Sequence, residues 1–245
     1  MRPVCLITGA SAGIGAACAL RAAKDGYDVV VNYNSDRNGA EAVAHSVNAA
    51  GARSLIVQAD VADPDAIIAM FDQIDQEFGR LDALINNAGI VGQTARVTDL
   101  THDRLRRMFD VNVIGAILVA KAAVQRMEKA GCGVIINISS VAARLGSANL
   151  YVDYAATKGA IDTFTKGLAD EVAASGIRVM GVAPGLIETG IHAKGGEPDR
   201  AHRLGGATPM GRAGTADEIA NAVLWLMSDQ ASYVTGSTLT VSGGR

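Results

Sequence analysis

The sequence predicts a single α/β domain, residues 1–245, built on a doubly wound, mostly parallel sheet of seven strands with helices on both faces. Three observations support this. Short apolar runs alternate with segments of helical periodicity, and a glycine-rich turn joins the first run to the first helical segment. The chain of 245 residues, 49% of them hydrophobic, is long and apolar enough for one domain with a substantial core.

The expected strands are nearly all apolar, as strands buried on both faces should be. They lie at 4–7, 27–31, 54–57, 81–85, 134–138, 177–182 and 238–241. Between them, Ile67, Phe71 and Ile74 share one helical face, and Ile219 and Val223 share another. In such a sheet, ligands bind beyond the carboxyl ends of the strands.

Composition argues against several classes of function. The net charge is −3 with both signs interspersed, which gives no basic surface for nucleic acid. No apolar run approaches the ~20 residues of a membrane span, and the first strand starts too early for a signal peptide. Cys5, Cys18 and Cys132 are isolated, which favours reduced thiols and a cytoplasmic location. No Cys/His spacing indicates a metal site.

The turn Thr8-Gly9-Ala10-Ser11-Ala12-Gly13-Ile14-Gly15 follows the first strand, and an alanine-rich helix is expected to begin near Gly13. The free N–H groups and positive dipole end of that helix would face the turn and favour an anion such as a pyrophosphate. Glycine permits close approach of the phosphate. The common fingerprint G-x-G-x-x-G fails here, because Ala16, Ala17 and Cys18 follow Gly15.

The pattern Thr-Gly-x-x-x-Gly-x-Gly that stands instead resembles the glycine motif of the short-chain dehydrogenase/reductases. The resemblance extends from Thr8 to the closing Ser242-Gly243-Gly244. It implies a Rossmann-type fold and an NAD(P) cofactor. The residues of the turn that it assigns to the cofactor are Gly9, Ser11, Gly13, Ile14 and Gly15.

The end of the second strand should decide which cofactor binds. In dinucleotide folds an acid there binds the ribose 2′-hydroxyl and repels a 2′-phosphate. Asn32 stands at that position and is neutral, while Ser35 and Arg37 could hold a phosphate. NADP is therefore expected over NAD, although Arg37 taken alone is more typical of a solvated loop charge. Many NADP-using relatives carry a basic residue at the position of Ala12, and this chain does not.

Further cofactor contacts follow the other strands by resemblance. Asp60 and Val61 should face the adenine, although Asp60 also suits a helix N-cap. The Asn-Asn-Ala-Gly motif of the family is complete here and assigns Asn87, Ala88 and Gly89 to the cofactor. The Pro-Gly motif after the sixth strand extends the cofactor contacts to Pro184, Gly185, Ile187 and Thr189, although a plain turn would read the same way.

Tyr154 and Lys158 are the residues best suited to chemistry. They lie four apart, so a helix over 155–172 would place them on one face. A free phenol has a pKa of ~10, and a neighbouring ammonium lowers that pKa. The tyrosine would then exchange a proton with a substrate oxygen near neutral pH.

The resemblance completes an active-site tetrad of Asn112, Ser140, Tyr154 and Lys158. It makes Tyr154 the acid/base, Ser140 the residue that holds the substrate oxygen, and Lys158 a contact of both the tyrosine and the nicotinamide ribose. Asn112 would anchor a water of the proton relay, although a helix bend explains it equally well. Ser139 competes with Ser140, which matches the second serine of the family's pair.

A stretch without clear periodicity, 185–214, is predicted to be a substrate loop, with a disordered surface segment as the alternative. Arg144, Tyr151 and His192 are candidate pocket residues, although each could equally be a surface or packing residue.

The expected activity is NAD(P)(H)-dependent interconversion of a secondary alcohol or sugar with the corresponding ketone or lactone. The region 140–158 resembles glucose-dehydrogenase-like bacterial members. The alternatives are a 3-oxoacyl-(acyl-carrier-protein) reductase-like enzyme and a non-catalytic dinucleotide-binding regulator. The expected partners are a small-molecule substrate and, by resemblance, further copies of the chain in a homotetramer formed through 155–172 and the last strand, where Phe164 and Trp225 add apolar surface.

Overall fold

Seven strands form one sheet in the order β3-β2-β1-β4-β5-β6-β7, and every neighbouring pair is parallel. This sheet confirms the predicted fold class. The computed structural model describes residues 2–245, apart from the side chains of His192 and Lys194. The strands are β1 Val4–Ile7, β2 Asp28–Tyr33, β3 Ser54–Gln58, β4 Ala83–Asn86, β5 Gly133–Ile138, β6 Ile177–Pro184 and β7 Thr238–Val241.

Helices connect consecutive strands and cover both faces of the sheet. They are α1 Gly13–Lys24, α2 Arg37–Ala49, α3 Pro64–Phe78, α4 His102–Phe109, α5 Ala116–Ala130, α6 Ala142–Leu145, α7 Val152–Val172, α8 Ile191–Lys194, α9 Arg200–Gly205 and α10 Ala216–Met227. A π-helical segment, Asp110–Gly115, joins α4 to α5, and single 3₁₀ turns lie at Val97–Asp99, Ala173–Ser175 and Asp229–Ala231.

The sheet separates two apolar layers. In β1, Cys5 and Ile7 pack with α1, α2 and α10 on one face, while Val4 and Leu6 pack with α3, α5 and α7 on the other. Side chains of a strand alternate between faces, so a strand covered on both sides must be apolar at every position. This explains why the strands could be located from continuous apolar runs.

Four strands extend past their predicted ends. β3 and β4 end one residue later than predicted, β2 continues through Asn32 to Tyr33, and β6 continues to Pro184. Asn32 ended the apolar run in the sequence, but it is only 1% exposed, and its side-chain amide donates to Val57 O at 3.3 Å and Ala59 O at 3.1 Å. Because these bonds satisfy the buried amide, a polar residue is accommodated inside the sheet.

Helical structure from His102 to Ala130 is long and apolar enough by composition to cross a membrane, which the sequence analysis did not anticipate. Its inward side chains, among them Val111, Val119 and Ala123, belong to the apolar layer beneath the sheet. Burial against the sheet therefore accounts for the apolar composition of this segment.

The sheet order reverses between β1 and β4, which places a crevice at the carboxyl ends of these strands. Near this end the loop 185–214 leaves β6. Ile187 pairs with Gly214 in a parallel bridge, so the two ends of the loop are joined. The sequence of this loop shows no clear periodicity because its two helices, α8 and α9, are short.

Candidate active site

The glycine turn is tied directly to the end of β4. Thr8 Oγ1 accepts hydrogen bonds from the backbone N–H groups of Asn87 and Ala88, both at 2.9 Å. The Asn87 amide in turn donates to Thr8 O at 2.9 Å and Gly9 O at 3.1 Å. The Thr-Gly and Asn-Asn-Ala-Gly motifs thus form one hydrogen-bonded unit at the crevice.

The residues of this turn fit a dinucleotide phosphate. Gly9 and Gly13 have φ values of +62° and +57°, which favour glycine. A Cβ atom added at Gly15 would lie 2.6 Å from Gly9 O, so the turn and the helix can approach this closely only with glycine. Helix α1 begins at Gly13, as predicted, and its N-cap residue Ala12 makes no side-chain capping bond. Its first N–H groups are therefore available to an anion.

The structure corrects the assignment of Asn32 as a ribose contact. Its side chain is buried, donates to two carbonyl groups of the β3 segment, and accepts from Gly9 N at 3.2 Å. It therefore supports the glycine turn from below. Tyr33 is the last residue of β2, and Ser35 and Arg37 follow it in exposed positions. Arg37 pairs with Glu41 at 2.8 Å, as a solvated surface charge would.

Asp60 lies two residues beyond the end of β3. Its carboxylate accepts from Ala62 N and from Arg107 Nη2, each at 2.9 Å. The N-cap of α3 is Asp63, so the N-cap alternative for Asp60 is wrong. Val61 is buried beside it.

Tyr154 and Lys158 both lie within α7, which begins at Val152, and they face the same cavity. The Lys158 ammonium lies 5.6 Å from the centroid of the Tyr154 ring and donates to Ile138 O at 2.7 Å. Ser140 lines the same cavity as Tyr154 and lies close enough to its hydroxyl to lower its pKa. The Ser139 hydroxyl is turned to Lys158 O at 3.4 Å, so Ser140 is the serine beside the phenol.

The electrostatics of this pair differ from the sequence-based expectation. Burial raises the pKa of the Tyr154 phenol to about 12, with the Ser140 hydrogen bond acting in the opposite direction. Burial also lowers the pKa of the Lys158 ammonium to about 8, which Asp162 partly opposes. Burial thus outweighs the other influences, and the pKa of Tyr154 is raised overall, where the sequence analysis expected it to be lowered. Desolvation disfavours the charged form of each group, and the phenol stays neutral at pH 7.

Asn112 lies in the π-helical segment between α4 and α5 and is 1% exposed. Its Oδ1 accepts from Ile90 N at 2.8 Å, and its amide donates to Ile90 O at 2.9 Å and to Thr157 Oγ1 at 3.2 Å. Asn112 therefore braces the loop after β4 against α7.

A cavity of about 340 Å³ opens between the glycine turn, the end of β5 and the 185–214 loop. It brings together these predicted residues: Ile14, Asn87, Gly89, Ser140, Tyr154, Lys158, Pro184, Gly185, Ile187 and Thr189. Thr189 also approaches the turn, since a Cβ at Gly13 would lie 3.4 Å from its Cγ2.

Of the candidate pocket residues, Tyr151 lines the cavity, with its ring edge-on to Tyr154 at 5.8 Å. Arg144 instead donates to Thr240 Oγ1 at 3.0 Å. The side chain of His192 lies outside the described residues. Sequence reasoning missed Glu197, Arg200 and Arg245, which also line the cavity. The only signal for Glu197 and Arg200 was the unexplained loop, because no periodicity indicates which loop residues point inward, and Arg245 lies outside that loop.

Replacing Lys158 by methionine should stabilise the cofactor-free protein at pH 7. The pKa of Lys158 falls from 10.5 to about 8 on folding, so burying its charge costs about 3 kcal/mol. Methionine also loses the hydrogen bond to Ile138 O, and this loss offsets about 1–2 kcal/mol of the stabilisation. We expect a net gain of about 1–2 kcal/mol, measured by denaturant unfolding.

The gain should vanish near pH 9.5. Between pH 8 and 10.5 the unfolded chain binds more protons at Lys158 than the native chain does. The free energy of unfolding of the wild type therefore rises with pH in this range, and the advantage of methionine falls. Lys166→Met, at an exposed position of the same helix, is the control and should change stability by less than about 0.5 kcal/mol. Equal destabilisation of Lys158→Met at both pH values would contradict the burial argument.

Comparison with known proteins gives a consistent picture. A family model described as "Enoyl-(Acyl carrier protein) reductase" matches residues 9–245. The uncharacterized oxidoreductase YgfF of Escherichia coli K12 is 49% identical over 245 residues, covering 99% of each chain. Glucose 1-dehydrogenase 2 of Bacillus subtilis is 39% identical over 240 residues, covering 98% of this chain and 93% of that protein.

Solved structures agree over the same length. A short-chain dehydrogenase from Burkholderia cenocepacia in complex with NADP has a TM-score of 0.90 at 33% identity, covering 99% of this chain and 97% of that one. A 3-ketoacyl-(acyl-carrier-protein) reductase from Brucella melitensis complexed with NADH has a TM-score of 0.92 at 35% identity, covering 99% and 98%. With a family model and relatives that span nearly all of its length, the chain belongs to the short-chain dehydrogenase/reductase family and is an oxidoreductase.

Proposed function

We propose that this protein interconverts a secondary alcohol or cyclic sugar and the corresponding ketone or lactone, using NAD(P)(H). The observation that carries the proposal is that Ser140, Tyr154 and Lys158 meet in one cavity, onto which the glycine turn opens. When bound, the nicotinamide supplies or accepts the hydride at the substrate carbon.

Each residue of the cluster has a defined task. Ser140 holds the substrate oxygen next to the Tyr154 hydroxyl, with which it shares the cavity. Tyr154, neutral at pH 7 because burial raises its pKa, donates its proton as the carbonyl is reduced. Lys158, anchored by Ile138 O, places a positive charge against the tyrosine ring and stabilises the phenolate that remains. Asn112 keeps the loop after β4 in position.

The cofactor is assigned to the residues around the crevice. The turn and the loop after β4 supply Gly9, Ser11, Gly13, Ile14, Gly15, Asn87, Ala88 and Gly89. Asp60 and Val61 border the adenine, Pro184, Gly185, Ile187 and Thr189 contact the carboxamide end, and Tyr154 and Lys158 reach the ribose. We assign NADP as the preferred cofactor because no acid ends β2, and Ser35 and Arg37 are exposed beside it. Known relatives hold either nucleotide.

The test is oxidation of NADPH and NADH by the purified protein with a panel of ketones, sugar lactones and an acetoacetyl thioester. We expect reduction of one or more ketones or lactones, with a Kd for NADPH at least about tenfold below that for NADH, which corresponds to 1.4 kcal/mol. Equal affinities would refute the NADP preference. Activity confined to the thioester would favour an acyl-carrier-protein reductase, and cofactor binding without any turnover would favour a dinucleotide-binding regulator.

We also propose a cytoplasmic homotetramer, assembled through the α7 region and β7. Trp225 and Leu239 are 43% and 37% exposed, which leaves apolar surface for a partner copy. Phe164 packs against the apolar layer beneath the sheet, so its side chain contributes to the core of the subunit and not to the proposed interface. Sedimentation of the purified protein at several concentrations measures the assembly.

A further inference from the structure

The substrate end of the cavity carries an excess of positive charge. Among the described residues that line it, Lys158, Arg200 and Arg245 are cationic and Glu197 is the one acid. Glu197 is also paired outside the cavity, since its Oε2 binds Arg203 as well as Arg200, each at 2.8 Å. The single carboxylate of Glu197 therefore cannot neutralise the three cationic side chains that line the cavity.

Arg200 is the residue whose position is hardest to explain by folding alone. Its side chain is only 6% exposed, and a buried guanidinium needs an acceptor for each donor. Nη1 binds Glu197, but Nε is buried and has no hydrogen-bond partner in the described part of the chain. Leaving a charged donor unsatisfied is unfavourable unless a ligand supplies the missing acceptor.

The position of Arg200 relative to the reacting group is defined by Tyr151. The guanidinium carbon lies 5.3 Å from the Tyr151 ring centroid, and that ring lies 5.8 Å from the Tyr154 ring. Burial raises the pKa of the Tyr151 phenol, while Arg200 and Arg245 act to lower it and Glu197 acts to raise it. Arg245 also lines the cavity, and Arg200 and Tyr154 both adjoin the Tyr151 ring inside it.

We propose that Arg200, assisted by Arg245, binds a carboxylate of the substrate, so that the substrate class is a small oxo acid or the corresponding hydroxy acid. Guanidinium and carboxylate match in a planar, bidentate geometry, which would use the unpartnered Nε. The inference rests on the proposed function, because the carbonyl group is placed at Ser140 and Tyr154. A cavity of about 340 Å³, shared with the nicotinamide end of the cofactor, restricts the skeleton to a few carbons or one ring.

Equilibrium binding tests the carboxylate site without turnover. Cyclohexanecarboxylate and cyclohexanecarboxamide are titrated calorimetrically into the protein with and without NADP⁺. We expect the carboxylate to bind at least about tenfold more tightly, and Arg200→Gln to remove this difference, as expected for loss of a charged hydrogen bond. Arg200→Lys, which keeps the charge but lacks Nε, should be intermediate. Arg203→Gln shares the Glu197 contact at an exposed position and should keep the difference.

Equal binding of acid and amide, binding of neither, or a preference that survives in Arg200→Gln would overturn the proposal. Far-UV circular dichroism verifies that each variant is folded, and the charge-conserving Arg200→Lys decides the question if Arg200→Gln does not fold. In parallel, reduction of 4-oxopentanoate, 5-oxohexanoate and 4-oxocyclohexanecarboxylate is compared with that of their methyl esters. The acid-to-ester ratio of kcat/KM should fall at least about tenfold in Arg200→Gln.

The two arms separate the two proposals. Carboxylate binding through Arg200 without reduction of any carbonyl compound would support the binding site and reject the proposed activity. Reduction of esters and acids with equal efficiency would support the activity and reject the carboxylate site.

Discussion

Replacing Tyr154 by phenylalanine is expected to lower kcat at least about 1,000-fold, within the range attributed to general acid–base catalysis. The substitution removes the transferable proton and the hydroxyl that lies beside Ser140 in the cavity. The ring remains, still edge-on to Tyr151 and within reach of Lys158. Cofactor affinity should therefore stay within about twofold of wild type, because the phosphate-binding turn is untouched. Steady-state kinetics and fluorescence titration of NADPH measure the two quantities separately.

The control for this variant is Tyr27→Phe. Tyr27 is also half-buried, but it precedes β2 at the opposite end of the sheet, so the change should leave kcat within about twofold. In the wild type, reduction should slow as pH rises through about 8, because Lys158 then loses its charge. Oxidation should gain with pH, because it requires the phenolate of a group whose pKa lies near 12. Wild-type turnover by Tyr154→Phe would refute the acid/base assignment.

The parts of the site that sequence could predict are those written in local patterns. The glycine turn precedes a helix and follows an apolar strand, so its location at the crevice follows from α/β topology. Tyr154 and Lys158 lie four residues apart, and any helix there brings them to one face. A parallel sheet with helices on both faces follows from the alternation of helices and apolar strands.

The parts that sequence could not predict depend on burial and on partners distant in the chain. Asn32 was assigned to the cofactor because it stands at the predicted end of the second strand, and nothing local shows its bonds to Val57 and Ala59. Lys158 was expected to act on the tyrosine through its charge alone. In the folded protein, desolvation has the largest effect on the pKa of Tyr154 and on that of Lys158. The burial that causes it is a property of the assembled site.

Gly15→Ala is expected to have the second large effect, on the cofactor and on stability together. Its Cβ would lie 2.6 Å from Gly9 O, 2.7 Å from Asn87 Nδ2 and 3.0 Å from Ala10 Cα. Two of these are backbone atoms, so relief requires α1 to move away from the turn or the bonds from Asn87 to break. We expect a loss of about 1–3 kcal/mol in unfolding free energy, as for overpacked interiors.

The same displacement should weaken NADPH binding by at least about 100-fold, because the first N–H groups of α1 would no longer converge on the phosphate. Gly206→Ala is the matched control. Gly206 has φ −61°, and an added Cβ would meet nothing within 4 Å, so alanine there should stabilise slightly, by about 0.4–1 kcal/mol, and leave the Kd unchanged. Unfolding and cofactor titration of both variants provide the comparison. Normal NADPH affinity in a folded Gly15→Ala protein would mean that the phosphate does not sit at this turn, whatever the chemistry at Tyr154.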